Sequence, residues 1–232
     1  MRIQIRSTLL AAAACAALAH QAAAQPMNIV TVGAPAINCL FSTSCSVVVS
    51  DHTAPVLGGG FLQSRTFQAQ PGSPMAGKWV YQYRLDLTSA ASPSGTPAAT
   101  SLSMQVPSIP AANYNGDRVA TDNIFVVTSG GLGTVGPSSA HLYGDTLHVA
   151  FAPPVPGGTT SYFFGFTSDT PPQETTARLE INVAPATFLS VRTPAWPGAA
   201  ASGAAPRPVR PGRPIVRPTP VRPETQKPVQ RP

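Results

Sequence analysis

Along much of the chain apolar and polar side chains alternate one for one, as they do in extended backbone whose successive side chains point to opposite faces. Over residues 78–87, Trp79, Tyr81, Tyr83, Leu85 and Leu87 fall on one face, while Lys78, Gln82, Arg84 and Asp86 fall on the other; Val80 is the exception. The pattern predicts a strand covered on one side. Leu102, Met104 and Val106 alternate with Ser101, Ser103 and Gln105. Leu147, Val149 and Phe151 alternate with Thr146, His148 and Ala150, and Leu179, Ile181 and Val183 with Arg178, Glu180 and Asn182. Further strands are expected over 27–32, 46–50, 61–68, 124–128 and 162–167, the last apolar enough on both faces to be central. Helical spacing nowhere persists for three turns. Gly58-Gly59-Gly60, Pro71-Gly72, Asn115-Gly116, Gly130-Gly131, Pro153-Pro154 and Gly157-Gly158 carry turn and loop chemistry between the runs. Many short strands with such punctuation predict an all-β domain, an antiparallel β-sandwich of jelly-roll or immunoglobulin-like type.

The two ends follow other rules. Arg2 and Arg6 precede an apolar run over residues 9–19, and Ala22-Ala23-Ala24 follows it. A basic start, a short apolar stretch and small residues at a cleavage position are the parts of a secretory signal peptide, here residues 1–24. As a helix the run would cover only about 16 Å of a roughly 30 Å hydrocarbon layer, so no transmembrane segment is expected in the mature chain. Cys15 would be the acylated residue of a lipoprotein, but Ala12 three positions earlier and the later small-residue site favour cleavage near Gln25. A secreted or periplasmic protein is therefore expected. Export into an oxidising compartment makes a disulfide between Cys39 and Cys45 the default, worth about 2 kcal/mol for so short a loop. With no second pair or histidine near them, these cysteines give poor support for zinc.

Near Thr193 the composition changes, which sets a β domain at 25–192 and a linker and tail at 193–232. Nine of the 27 residues from Pro206 onward are proline. Such a segment builds no core and is expected to be disordered and extended. The formal charge of +6 belongs there: the signal contributes +2, residues 25–204 carry six basic groups against eight acidic ones, and residues 205–232 carry seven basic groups against Glu224. Those seven are Arg207, Arg210, Arg213, Arg217, Arg222, Lys227 and Arg231. At three residues per polyproline turn, Arg207, Arg210 and Arg213 line one edge about 9 Å apart, near the Debye length at physiological salt. A row of this kind suits an anionic cell-envelope polymer or extracellular DNA. Specific nucleic-acid recognition by the folded part lacks electrostatic support, because its own balance is −2.

The stretches NYNGDRVATDNIFVVTSGGLGTVG and GDTLHVAFAPPVPGGTTSYFFGFTS within residues 113–168, with YRLDL at 83–87, resemble a group of exported bacterial β-rich proteins, some of which carry a C-terminal sorting tail. The resemblance covers roughly the second half of the domain. It implies an extracytoplasmic β-rich module and brings no catalytic residues with it. An Arg/Pro tail stands where the sorted members have an apolar helix and a basic cluster, so anchoring of that type is not expected.

Catalytic signatures are not found: the chain has no HExxH helix, GxSxG elbow, phosphate-binding loop or dinucleotide fingerprint. His52, His141 and His148 lack metal-ligand spacing, and His148, on the polar face of its strand, reads as solvated. Ser50-Asp51-His52 are adjacent in sequence, which is not triad geometry. Asp86, Glu174 and Glu180 would suit a glycosidase only if two of them faced each other. Asn113, Asn115, Asp117 and Asp122 around Gly116 offer oxygen ligands for Ca²⁺, against the alternative of a turn held by Asn-Gly; no glutamate closes an EF-hand pattern. Trp79, Tyr81 and Tyr83 form either a sugar-binding platform or, as their company with Leu85 and Leu87 favours, part of the core. No cofactor is expected, Ca²⁺ being the one ion considered. The function expected is that of a non-enzymatic exported protein whose tail contacts anionic polymers; the alternative is a secreted polysaccharide-binding module or hydrolase tethered by the tail.

Overall fold

The computed structural model describes residues 23–197, apart from 48, 57, 93 and 94. Residues 1–22, nearly all of the expected signal peptide, and the residues from 198 onward, including all seven basic tail positions, lie outside the described residues. The described elements in chain order are β1 (Ala24–Pro26), β2 (Ile29–Gly33), α1 (Ala34–Phe41), β3 (Ser50–Pro55), β4 (Phe61–Gln68), β5 (Trp79–Asp86) and β6 (Ala98–Gln105), then β7 (Ile124–Ser129), β8 (Ser139–Tyr143), β9 (Thr146–Pro156), β10 (Phe163–Ser168), β11 (Pro172–Ile181) and β12 (Ala184–Pro194). They make two six-stranded sheets, ordered β1-β8-β9-β6-β11-β12 and β2-β7-β10-β5-β4-β3. The β-rich expectation holds. One pair departs from the antiparallel expectation: β2 runs parallel to β7. Asn28 anchors that pairing, its carbonyl accepting the N–H of Asn123 and of Ile124 at 2.9 and 3.0 Å. Alternation encodes which face a side chain takes and says nothing of strand direction, so the parallel pair had no signal in the pattern.

Between the sheets, Tyr81, Tyr83 and Leu85 of β5 and Phe164 and Phe166 of β10 share one cluster with Leu102, Met104, Leu147, Val149, Leu179 and Val191 of the other sheet. The Tyr81 ring stacks on Phe166 at 5.5 Å. Both phenols find partners at the cluster's edge, Tyr81 donating to the Thr170 carbonyl and Tyr83 to that of Arg192, each at 2.7 Å. Tyr81 and Tyr83 are thus core, as their leucine neighbours imply, while Trp79 is only partly buried and packs against the same cluster.

A second cluster lies on the other side of β5, a departure from the one-sided strand that the alternation predicts. Val80 joins Phe67, Phe125, Val127 and Phe163 beneath Ile37 and Phe41 of α1. An eight-residue helix is marginal alone; burial of Ile37 and Phe41 at 1% and 0% exposure, worth about 1.5–3 kcal/mol each, holds it on the sheet. A disulfide between Cys39 and Cys45, with Cα atoms 4.3 Å apart, ties the helix to the turn behind it. Arg84 and Gln82, expected to face water, are buried on this side of the sheet. The Arg84 guanidinium lies 5.7 and 5.2 Å from the Phe61 and Phe163 ring centroids, 3.5 Å from the Asp86 carboxylate, and donates to Gln63 at 3.1 Å. Val80 was out of step because both faces of this strand are covered.

Other differences are local. The strand expected at 46–50 lies at Ser50–Pro55. Pro153-Pro154 does not end a strand: β9 continues to Pro156, and the prolines sit where its register to β6 jumps from Ala150–Ser101 to Val155–Ala99. The bulge removes the need for their missing N–H groups. β1, β8 and β12 were not foreseen, and β1 begins at Ala24, the last residue of the expected signal peptide. β12 pairs through Thr193 and Pro194 with Gln173 and Pro172, and in it only Leu189, Val191 and Thr193 alternate inward, too short a run to outweigh its prolines.

Candidate functional site

Asn113, Asn115, Asp117 and Asp122 do come together, but four of their oxygens accept from the loop's own backbone and Asp117 Oδ2 accepts the Asn115 side-chain amide at 3.0 Å. Asp122, 1% exposed, closes a bridge with Ala112, and its Oδ2 accepts the N–H of Tyr114 at 2.8 Å and of Asn115 at 3.3 Å. Asn113 Oδ1 accepts from Gly116 at 2.8 Å, Asn115 Oδ1 from Asp117 at 3.0 Å and Asp117 Oδ1 from Val119 at 2.7 Å. The arrangement is the turn reading of this segment, with Gly116 at φ +81°. Below the loop, the Tyr114 hydroxyl accepts the Thr167 N–H and shares a hydrogen bond with the Thr167 hydroxyl, both at 2.9 Å. Burial pushes the Tyr114 phenol up to about 12, and it raises those of Tyr81 and Tyr83 as well.

The carboxylates weighed for glycoside chemistry do not face each other as a pair. Glu174 and Glu180 stand six positions apart on β11, about 20 Å along a strand, where hydrolysis needs roughly 5–10 Å. Glu174 accepts from the Ser190 hydroxyl, Glu180 pairs with Arg178 at 2.7 Å, and Asp86 belongs to the other sheet, beside Arg84. Asp51 and His52 are successive strand residues on opposite faces, and Asp51 serves Arg65 at 3.0 Å and Gln63 at 3.2 Å. Five of the six basic groups of the domain are similarly engaged: Arg65, Lys78, Arg84 and Arg178 pair with Asp51, Asp169, Asp86 and Glu180, and Arg192 donates to the Ser50 hydroxyl.

On the outward face of the first sheet the register assembles side chains that spacing kept apart. Pro26, His141, His148, Ser103, Arg178 and Phe188 form a row across six strands, each the register partner of the next. His141 and His148 are direct cross-strand neighbours in the β8–β9 hairpin, whose turn is Gly144-Asp145 with Gly144 at φ +61°. The His148 Nδ1 lies 3.0 Å from the Ser103 hydroxyl. The exposed Tyr143 ring stands beside both histidines, with centroids 6.0 Å from His141 and 6.4 Å from His148. A Gly-Asp turn two residues long would have paired 141 with 148 by counting outward, and that was the signal available in the sequence. Among the described residues no three or more histidine, cysteine, aspartate or glutamate side chains group as a metal cluster, and no helix is long and apolar enough to cross a membrane.

No protein-family model matches the chain, and no curated protein or solved structure matches it either.

Proposed function

We propose that this is an exported, non-enzymatic β-sandwich protein, of jelly-roll or immunoglobulin-like type, whose residues 205–232 bind anionic polymers of the cell envelope or extracellular DNA without sequence preference. The observation that carries the reading is the disposition of charge. Four of the six basic side chains of residues 25–204 are held in ion pairs on the domain itself, while seven basic residues in the tail face a single glutamate. A polyanion meets a domain of net −2 and a tail of net +6, and counterion release from the polymer then rewards only the tail. The amino-terminal pattern of residues 1–24 and the Cys39–Cys45 disulfide support export. The resemblance to exported bacterial β-rich proteins is part of the same reading. Buried Tyr81 and Tyr83 offer no flat platform for sugar rings, and the separation of Glu174 from Glu180 weighs against hydrolysis.

A salt titration tests this. With lipopolysaccharide and with DNA, log affinity of the mature chain should fall with log salt at a slope of about −4 to −5, as for four to six neutralised phosphates. Truncation after residue 204 leaves every described strand in place and should bring the slope close to zero. Equal low-salt affinity with and without the tail removes the proposal.

A further inference from the structure

We propose that His141 and His148 form a surface site for a divalent transition-metal ion, with copper(II) held tightest, zinc and nickel less tightly, and magnesium and calcium not at all. Direct cross-strand partners share a face with Cβ atoms about 4.5–5.5 Å apart, from which two imidazole nitrogens can converge on one ion at the usual 2.0–2.1 Å. The spacing is set before any ion arrives: β8 is paired along its length to β9, which is paired in turn to β6, and Gln25 and Pro26 of β1 flank β8 on its other side. The site therefore costs little ordering of backbone. The Ser103 hydroxyl at 3.0 Å engages His148 through Nδ1, so Nε2 is the ring nitrogen left for an ion. A partner on the far ring nitrogen that orients the ligand is what metal-binding histidines ordinarily have.

Charge on this face does not oppose a cation. The nearest basic residue in the row, Arg178, lies beyond Ser103 and is paired with Glu180 at 2.7 Å. Tyr143 walls the space beside the two rings on the hairpin's turn side. Two imidazoles leave the remaining coordination positions to water, so the site is open and exchangeable, unlike a four-ligand structural zinc. Imidazole donors without carboxylates select copper, nickel and zinc over the hard ions, and among these the stability order peaks at copper.

Titration of tag-free mature protein with copper(II), zinc(II) and magnesium, followed by calorimetry and by the imidazole resonances in NMR, tests the site. One copper per chain is expected, with zinc weaker and magnesium silent. His141→Ala and His148→Ala should each lower copper affinity at least tenfold, because the second imidazole acts at an effective concentration in the millimolar range or above. Ser103→Ala, which removes no ligand, should lower it by about tenfold, and His52→Ala should leave it unchanged. Near-UV circular dichroism identifies any variant that fails to fold, and wild-type resonance shifts confined to His141 and His148 support the assignment without variants. Undiminished copper binding in both histidine variants, equal binding of magnesium, or loss of binding with His52→Ala overturns it.

Discussion

Replacing Asp122 by alanine should destabilise the domain by about 3 kcal/mol. Its carboxylate is 1% exposed and accepts two backbone N–H groups, from Tyr114 at 2.8 Å in a buried setting and from Asn115 at 3.3 Å in a partly buried one. A hydrogen bond to a charged group contributes about 1.5–3 kcal/mol, and a donor left without a partner in the interior carries its desolvation cost. The shorter bond takes the upper part of that range. The longer one, which water can replace, adds about 0.5 kcal/mol. In a domain of this size each kcal/mol moves the melting temperature by about 2–4 °C, so the expected fall is about 6–12 °C. Asp122→Asn keeps an oxygen acceptor and should lose about half as much. The assay is thermal melting followed by near-UV circular dichroism, with and without millimolar calcium, the range in which extracellular calcium modules bind. Were the loop a cation site, calcium at ten times its Kd would stabilise the wild type by about 1.4 kcal/mol; no shift is expected, since four of its oxygens already accept backbone N–H groups and a fifth accepts a side-chain amide. An alanine variant melting with the wild type, or a calcium-dependent rise abolished by Asp122→Ala, would refute the reasoning.

Two further outcomes follow from the core. A Cβ on Gly165, in β10 between β5 and β7, would stand 2.0 Å from the Tyr81 carbonyl oxygen and 3.0 Å from the Phe125 ring. Backbone hydrogen-bonded on both sides cannot retreat, so Gly165→Ala should cost more than the roughly 1–3 kcal/mol of ordinary overpacking, and an unchanged urea midpoint would contradict this. Alkaline stability should also fall: burial raises the phenols of Tyr81, Tyr83 and Tyr114, the last to about 12, whereas in the unfolded chain each ionises near the usual value of about 10. Their neutral forms predominate in both states below about pH 10, where stability is level; above it the unfolded state loses protons first, and stability drops by up to about 1.4 kcal/mol per pH unit for each tyrosine. Denaturant midpoints across pH 10 to 12, with tyrosinate absorbance, check the sign, and ionisation of these three phenols near pH 10 in a still-folded protein would refute it.

The alternation of residues by itself determined that this chain would be β-rich, that Tyr81, Tyr83, Leu102, Val149 and Leu179 would point inward, and that Asn115-Gly116 would turn. Each of these follows from neighbours within a few residues, because the pleat assigns faces by parity and turn residues act on their own backbone. Whether the opposite face of β5 meets water depends on α1, about 40 positions earlier in the chain, and on side chains such as Phe61 and Phe163 of neighbouring strands, and so Val80, Gln82 and Arg84 could not be assigned from their own segment. The parallel course of β2 beside β7 is likewise a matter of which distant edge it meets. His141 and His148 show the same division: the pattern put His148 on a polar face and the local Gly144-Asp145 turn sets His141 opposite it, but only the pairing of β6 with β9 brought Ser103 to its ring. Local sequence sets the conformation and polarity of each strand, whereas neighbours across a sheet are set by hydrogen-bond register and packing between segments far apart in the chain.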